Sequence, residues 1–484
     1  MRPPTPLQAK IPYDISTEPM DGSVTSLGGV AVLSRLFRGM KLPGSCDANL
    51  EFFRKIALGY QAGQMVESIV TGLLLGIDCV EDLDMLRGDE TVARILGYQT
   101  PSTRCVRDWL EKFHDQALVT AAYEKALELD LKSAVPDSSA GLCALQKVLG
   151  TSARSAASRH PYGAPLSATV DADGTIIESH KAGAFVAYEG TRGYQPLTAL
   201  WAEANVILST EFRDGNVPGH HNPLACVEQA FSELPGSIEE FYFRADSAYY
   251  NCELLDWLDE PCRERGPQGV EIKYTVSARM SDQLAEVARL VPESAWIMSP
   301  NQKEGDDVLH QWTELEYTPT RKPEKKDAKP RRYIGIRLIK KQGELFADGN
   351  DRKHFAVVTN REERGDVVLA WHREKAGTIE HTQDELKNAL SGARLPSKFF
   401  GANAAWFTLN AIAYNIASAL RSALPDPEMK TARIKRLRFN FFNVSARLTR
   451  FSRKITLRFA KDSGWIKALL KVFKAFPCRI QPTG

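Results

Sequence analysis

The sequence predicts an α/β protein in which one α/β domain is split by a β-rich insertion and flanked by helical regions. Three observations predict this class. Strand-like and helix-like runs alternate from Leu166 to Ser277. Four β-branched or alternating runs then follow within 280–368. Helical spacing returns in the segment holding Glu380 and in the apolar run Asn403–Leu420.

The elements follow in order. Residues 1–45 read as irregular, with one short strand or helix turn within Met20–Leu33. Residues 47–150 read as helical: Ala62–Leu75 spaces its apolar residues as a helix does, and Pro101-Ser-Thr opens another helix. Ser, Ala, Gly and Pro around 140–165 predict a linker. Strands are then expected at Ala168–Ile177, Ala184–Tyr188, Leu197–Ala202 and Val206–Phe212. A helix at Pro223–Leu234, a strand at Phe241–Asp246, a helix at Cys252–Leu258 and a strand at Glu271–Ser277 complete the run. Three strands, helix, strand, helix, strand is the order of a ribonuclease-H-like domain whose last helix is displaced by the insertion. The expected boundaries are 1–160 for the helical N-terminal region and 161–279 for the first part of the core. The insertion spans 280–368, the second part of the core 369–425, and a helical basic C-terminal region 426–484.

Composition bounds the function. The chain has 484 residues, 43% of them hydrophobic and 25% charged, as in ordinary globular proteins. No apolar run is long enough for a membrane span, and the N-terminal MRPPTPLQAKIPYD has no apolar core for a secretory signal. The eight cysteines include no C-x-x-C pair, so neither a zinc site nor a disulfide framework is expected, and a reducing cytoplasm fits. The net charge of +2 hides an asymmetry. From Pro427 onward there are fifteen Lys or Arg against two acids, Glu428 and Asp462. A second basic cluster comprises Arg321, Lys322, Lys325, Lys326, Lys329, Arg331 and Arg332. Each cluster alone reads as a solvated surface; two beside an acidic site point to a polyanionic partner.

That acidic site is the chemical signal. Asp173 and Asp246 each end an apolar strand-like run, and Glu380 lies early in a later helix. Two strand carboxylates and one helix carboxylate suit a two-metal phosphoryl-transfer site. Its ions, about 3.5–4 Å apart, need oxygen ligands from rigid elements. Asp171 shares a strand face with Asp173, so it competes for the role, with Asp-Gly-Thr favouring Asp173. Asp384 and Glu385 compete with Glu380 on one helix, with Ile-Glu-His favouring Glu380.

Several motifs resemble the DDE transposases of bacterial insertion sequences, specifically the insertion sequence 1380 family. They are Asp173–Thr175, Arg244–Tyr250, Lys375–His381, Phe400–Trp406, Tyr414-Asn415 and the Phe212–Asn216 turn. The match covers about residues 165–425 well and the N-terminal third more loosely. The resemblance implies a ribonuclease-H-like domain with a β insertion. It also implies two Mg²⁺ or Mn²⁺ ions on Asp173, Asp246 and Glu380, and cut-and-paste movement of a DNA element. Double-stranded DNA, as terminal inverted repeats and as target, is the implied partner. Two ends must be cut together, so a homodimer on DNA is expected. Related transposases place Tyr, Arg, Glu and Lys at fixed spacing along the last helix. Here Lys387 keeps the Lys position, whereas Ala376 and Arg373 stand at the Arg and Tyr positions.

Lys387 is therefore a candidate phosphate contact, with Arg373 and Lys375 as neighbouring candidates. Arg192 and Arg213 are candidates for approaching DNA, and Tyr249 and Tyr250 for stacking on an unpaired base, against core packing. His381 reads as a structural or DNA-contacting neighbour, and His220 and His221 as loop residues. The competing readings are a two-metal nuclease without strand transfer, a catalytically silent DNA-binding relative, and a two-carboxylate glycosidase. The insertion and basic tail disfavour the first, and the intact triad disfavours the second. The tail, with the strand–strand–helix placement of the acids, disfavours the third.

Overall fold

The computed structural model describes residues 22–53, 59–131, 133–160, 163–181, 183–187, 189–300, 302, 306–319, 330–340, 344–451 and 454–478. The N-terminal stretch Met1–Asp21, the basic residues Arg321, Lys322, Lys325, Lys326 and Lys329, and Tyr188 lie outside the described residues. No helix among the described residues is long and apolar enough to cross a membrane.

Nine strands form one mixed sheet. In chain order they are β1 (Ser167–Gly174), β2 (Leu197–Trp201), β3 (Val206–Glu211), β4 (Glu240–Ala245) and β5 (Ile272–Ala278), then β6 (Ile297–Met298), β7 (Val308–Leu315), β8 (Arg332–Lys340) and β9 (Arg352–Thr359). Across the sheet the order is β6-β7-β8-β9-β5-β4-β1-β2-β3. β1 runs antiparallel to β2 and parallel to β4, which is parallel to β5. β1 is buried on both faces over most of its length, as a central strand must be. Any charged side chain on it therefore needs a partner inside the protein.

The helices that matter below are α1 (Ala140–Ala157), α2 (Leu224–Ser232), α3 (Cys252–Asp259), α4 (Gly365–Arg373), α5 (Ile379–Asn388) and α6 (Phe400–Ala423). α3 makes the crossover that the parallel β4 and β5 require. α6 is buried from Gly401 to Arg421 and packs on α1 and β3. Its Asn415 pins it to β3. The side-chain oxygen accepts from Ile207 N (2.7 Å), and the amide donates to Ile207 O (2.9 Å). The edge strand's backbone is thus satisfied by a side chain inside the core.

Three expectations change. The small residues around 140–165 mark no linker over Ala140–Ala157, which is α1. Its N-cap Ser139 accepts from Leu142 N, and its inner face is buried. Ala and Gly there let α1 and α6 approach closely. The inserted strands do not stand apart from the core. β9 pairs antiparallel with β5, so the insertion lengthens the same sheet. It also holds a helix, Asp282–Leu290, which buries only Leu284 and Ala288 and so carried little apolar signal. The C-terminal region is not wholly helical, because Ala446–Phe451 and Lys454–Phe459 form an antiparallel ribbon before the helix Ser463–Ala475.

Helix α4 is fastened to β5 by His372, whose Nδ1 meets Thr275 Oγ1 (2.8 Å) and whose Nε2 meets Ser277 Oγ (3.0 Å). Burial, then the charges of Lys375, Arg244 and Arg373, hold its pKa down at about 3. The folded state keeps the imidazole neutral while the unfolded chain takes up a proton below about pH 6.5. Stability is therefore fully present above that pH and lost as pH falls, by about 1.4 kcal/mol per unit. We expect His372→Asn to flatten this slope between pH 6.5 and 5, read by urea unfolding of both proteins at each pH.

Candidate active site

The site begins with the register of two parallel strands. Asp171 on β1 lies opposite Arg244 on β4, and Ala172 opposite Ala245. One residue further along each chain are Asp173 and Asp246. Strand alternation puts Asp171 and Asp173 on one face, and Arg244 and Asp246 on the matching face. The inner pair is an ion pair, and the outer pair consists of two carboxylates at the C-terminal strand ends.

Asp171 is fully buried and takes a bidentate contact from Arg244, Nε to Oδ1 at 2.7 Å and Nη2 to Oδ2 at 3.0 Å. Arg244 also donates from Nη1 to Trp371 O (2.8 Å) and to Glu374 Oε2 (2.9 Å), and its guanidinium lies 4.8 Å from the Trp371 ring centre. Asp171 Oδ2 further accepts from the Thr378 hydroxyl. Thr378 is the N-cap residue of α5, and Glu380 sits in that helix's first turn. One buried carboxylate thus clasps β1, β4 and the start of the Glu380 helix. Both oxygens of Asp171 are thus engaged within the protein.

Asp173 accepts from Gly174 N (2.8 Å), and Asp246 from Ala248 N (3.0 Å). Burial, then the charge of Asp246, pushes the Asp173 carboxyl up to about 7, with Glu380 adding and Lys375 opposing. Asp246 is pushed up by burial, with Glu380 again adding and the Ala248 amide and Lys375 opposing. Three carboxylates from three elements therefore share one electrostatic field, and one ammonium sits among them. Lys375 Nζ lies 3.4 Å from Glu380 Oε1.

The other acids of α5 are committed elsewhere. Asp384 accepts from Arg433 (2.8 Å) and Asn388 (2.7 Å). Glu385 is buried against Arg421 (2.5 Å) and Ile434 N (2.5 Å). Glu380 alone among them is coupled to Asp173 and Asp246. Among the described residues no three His, Cys, Asp or Glu side chains converge as a ready metal cage. The donor set nonetheless suits a hard divalent cation. It is all oxygen, and two buried like charges raise each other's cost until a cation offsets them.

The remaining expected residues separate into two groups. Lys387 lines a cleft of about 550 Å³ with Gly174, Thr175, Gln195 and Ala393. Arg373 is exposed at the end of α4, and Arg192 is exposed on its short strand, donating to Ala184 O (3.1 Å). Arg213, in contrast, is buried. It donates to Glu211 (2.5 Å), His221 O (2.7 Å) and Asn222 O (2.8 Å), so it braces a loop and offers DNA no surface. Tyr249 is fully buried, its ring edge against Phe243, and Tyr250 shares a hydrogen bond with Tyr333 (2.8 Å). Tyr249 is thus a core packing residue, whereas Tyr250 is half-buried. His220 and His221 occupy the loop before α2, and His381 lies 3.9 Å from Glu385.

Sequence reading missed Arg244 and Thr378 as functional groups. The signal was present for Arg244: a guanidinium in the apolar run Phe241–Ala245 needs a buried anion, and Asp171 is the matching acid in Ala168–Ala172.

The chain belongs to the family described as transposase DDE domain group 1, whose family model matches residues 13–478. A search of curated proteins finds no match. Among solved structures, the chain is similar to a piggyBac transposase seen by cryo-electron microscopy in a synaptic complex with hairpin DNA. That likeness has 10% identity and a TM-score of 0.42, over 85% of this chain and 80% of that one.

Proposed function

We propose that this protein is a cut-and-paste DNA transposase of the insertion sequence 1380 type, with Asp173, Asp246 and Glu380 as its catalytic carboxylates. The observation that carries the reading is the coupling of these three groups at the ends of adjacent parallel strands and the start of a clasped helix. The order β3-β2-β1-β4-β5, with α5 across its face, supports a ribonuclease-H-like arrangement of the core. Family membership supports transposition as the process.

Asp173, Asp246 and Glu380 would hold two Mg²⁺ or Mn²⁺ ions, which supply positive charge to the attacking and leaving oxygens of a phosphodiester. The chain's own residues do the rest. β1 and β4 fix the two aspartates, and the clasp fixes the entry of α5 and so Glu380. Lys387, Lys375, Arg373 and Arg192 are assigned to backbone phosphates along the approach to Asp173. Lys375 holds Glu380 and balances charge until a cation binds.

In the first step water attacks phosphorus at the element's end, and the P–O3′ bond breaks to leave a 3′-hydroxyl and a 5′-phosphate. In the second that hydroxyl attacks a target phosphodiester and displaces the target's own 3′ oxygen. Both are in-line displacements at phosphorus, so one carboxylate centre serves both. The substrates are the terminal inverted repeats and target DNA, and a homodimer holds the two ends. The helical N-terminal region is assigned to end binding.

The test is a joining assay with a labelled repeat-ended duplex and a supercoiled target plasmid, with Mg²⁺ or Mn²⁺. Nicking at the repeat followed by labelled plasmid is the expected result. Nicking with no joined product would reassign the protein as a nuclease. Binding without nicking would make it a silent relative.

A further inference from the structure

Gln195 stands between the short strand Arg192–Tyr194 and β2, and its backbone N donates to Arg213 O (2.9 Å). The residue is only 7% exposed, yet its side-chain Oε1 is buried and accepts no hydrogen bond from the described residues. Buried polar groups are almost always paired, because an unmade hydrogen bond leaves the loss of water uncompensated. Rotation about the last side-chain bond exchanges the oxygen and nitrogen ends, so either can turn to a partner from outside the chain.

Two glycines place this carboxamide. A methyl group added at Gly174 would lie 3.8 Å from Gln195 Nε2. One added at Gly219 would lie 3.7 Å from Nε2 and 2.6 Å from Ala248 Cβ. Gly174 N donates to Asp173, and Ala248 N donates to Asp246. The carboxamide therefore stands beside the turns that follow both aspartates. It also lines the 550 Å³ cleft shared with Lys387, a volume within the range of about 300–1,000 Å³ typical of small-ligand sites. Asp173, Asp246 and Glu380 do not line this cleft, so what fills it is a neighbour of the reacting phosphate and not that phosphate itself. Its charged residues are Glu178, Glu189 and Lys387, a lining that suits N–H donors better than a run of phosphates. Within intact DNA the phosphates and sugars carry no hydrogen-bond donor, whereas every base carries an N–H beside an acceptor on the edge it uses for pairing.

Resting on the DNA-cleaving function proposed above, we infer that this cleft binds one unpaired nucleotide adjoining the scissile phosphate, with Gln195 as its base-binding residue. The carboxamide accepts from a base N–H and donates to the acceptor beside it, as Gln does in paired contacts with adenine. Lys387 takes the phosphate of the same nucleotide. Gln195 thus holds the strand beside Asp173 and takes no part in proton transfer.

The experiment compares full-length wild type and Gln195→Met on three labelled repeat-ended duplexes. One has its normal bases, and the others carry an abasic nucleotide immediately 5′ or 3′ of the cut. In all three the nucleotides opposite these positions are abasic, so that no base pair has to open. Nicking with Mg²⁺ is followed in single turnover at subsaturating protein, which reads binding and rate together. Wild type should cut one of the two abasic duplexes about tenfold more slowly than the normal one, the size of one paired base contact. Gln195→Met should cut the normal duplex about tenfold more slowly and lose little more on that abasic duplex. Met keeps the shape of Gln and removes an unpaired buried polar group, so the melting temperature without DNA should stay level or rise.

Unchanged cutting by Gln195→Met on all three duplexes would overturn this inference and leave the proposed function standing. So would wild-type nicking that is indifferent to both abasic changes, an arm that does not depend on the variant. A loss equal on all three duplexes would assign Gln195 to the nucleophile or to the fold, the latter marked by a lower melting temperature, and would also overturn it. A wild type that neither binds nor nicks the normal duplex would overturn both the inference and the function on which it rests.

Discussion

Asp171→Ala is expected to lower the unfolding free energy by about 3–5 kcal/mol, the cost of leaving one member of a buried ion pair uncompensated. Arg244 would keep its charge inside the protein with only Glu374, Trp371 O and the Trp371 ring to satisfy it. Thr378 would lose its carboxylate acceptor at the head of α5. The two losses fall on the joint that presents Glu380, so DNA cleavage should fall with stability. Urea unfolding measures the first and a cleavage assay the second. Two further variants separate burial from charge. Asp171→Asn should be intermediate, because it keeps an acceptor for Thr378 but not the charge. The double change Asp171→Leu/Arg244→Met should recover much of the stability, since apolar replacement of both partners is often close to neutral. A stability loss below about 1 kcal/mol for Asp171→Ala, the size expected of an exposed pair, would contradict the clasp.

The second large effect has opposite signs for stability and activity. Asp173 is held up at about 7 by burial and by Asp246. In the unfolded chain the same carboxyl titrates near about 3.9. The folded state therefore bears an ionisation cost that grows as pH rises from the unfolded pKa to the folded one. Above pH 7, without divalent cation, Asp173→Asn should raise the melting temperature. With Mg²⁺ or Mn²⁺ the wild type should gain stability and the variant should not, because the cation offsets a charge that only the wild type carries. Cleavage should fall about a thousandfold in the variant, about 4 kcal/mol of lost transition-state stabilisation. A residue that is more stable when removed and indispensable when present is the mark of a site built for a ligand rather than for the fold.

Much of this was legible in the sequence, for physical reasons that differ from element to element. β1, β4 and β5 announced themselves because central parallel strands are buried on both faces and read as apolar runs. Asp173 and Asp246 stood out only together and beside the family resemblance, because an acid at the end of such a run more often serves as a turn or N-cap residue. α1 was hidden, because Ala, Ser and Gly signal both a linker and close helix packing, and only the partner surface on α6 decides between them. The ribbon at 446–459 was hidden behind its charge. The alternation Arg447, Thr449, Phe451 against Leu448 and Arg450 has the period of a strand, but a basic tail invites a helical reading.

Side-chain commitments were the least legible. Arg213 and Tyr249 flank turns, where a DNA contact and a structural role read alike in the sequence; both are buried. Asp384 and Glu385 could not be told from Glu380 by spacing alone. Contacts with Arg433 and Arg421, 49 and 36 residues away along the chain, take them out of the acidic centre. Those long-range contacts are what one-dimensional spacing cannot carry.

The most direct measurement is divalent-metal-dependent cleavage of a labelled repeat-ended duplex by wild type, Asp246→Asn and Glu380→Gln, with binding to the same duplex measured in parallel. The carboxylate assignment predicts that both variants bind DNA as wild type does and that neither cuts it. Cleavage at the wild-type rate by either variant would contradict the assignment of that residue, and by both would move the catalytic centre elsewhere in the chain.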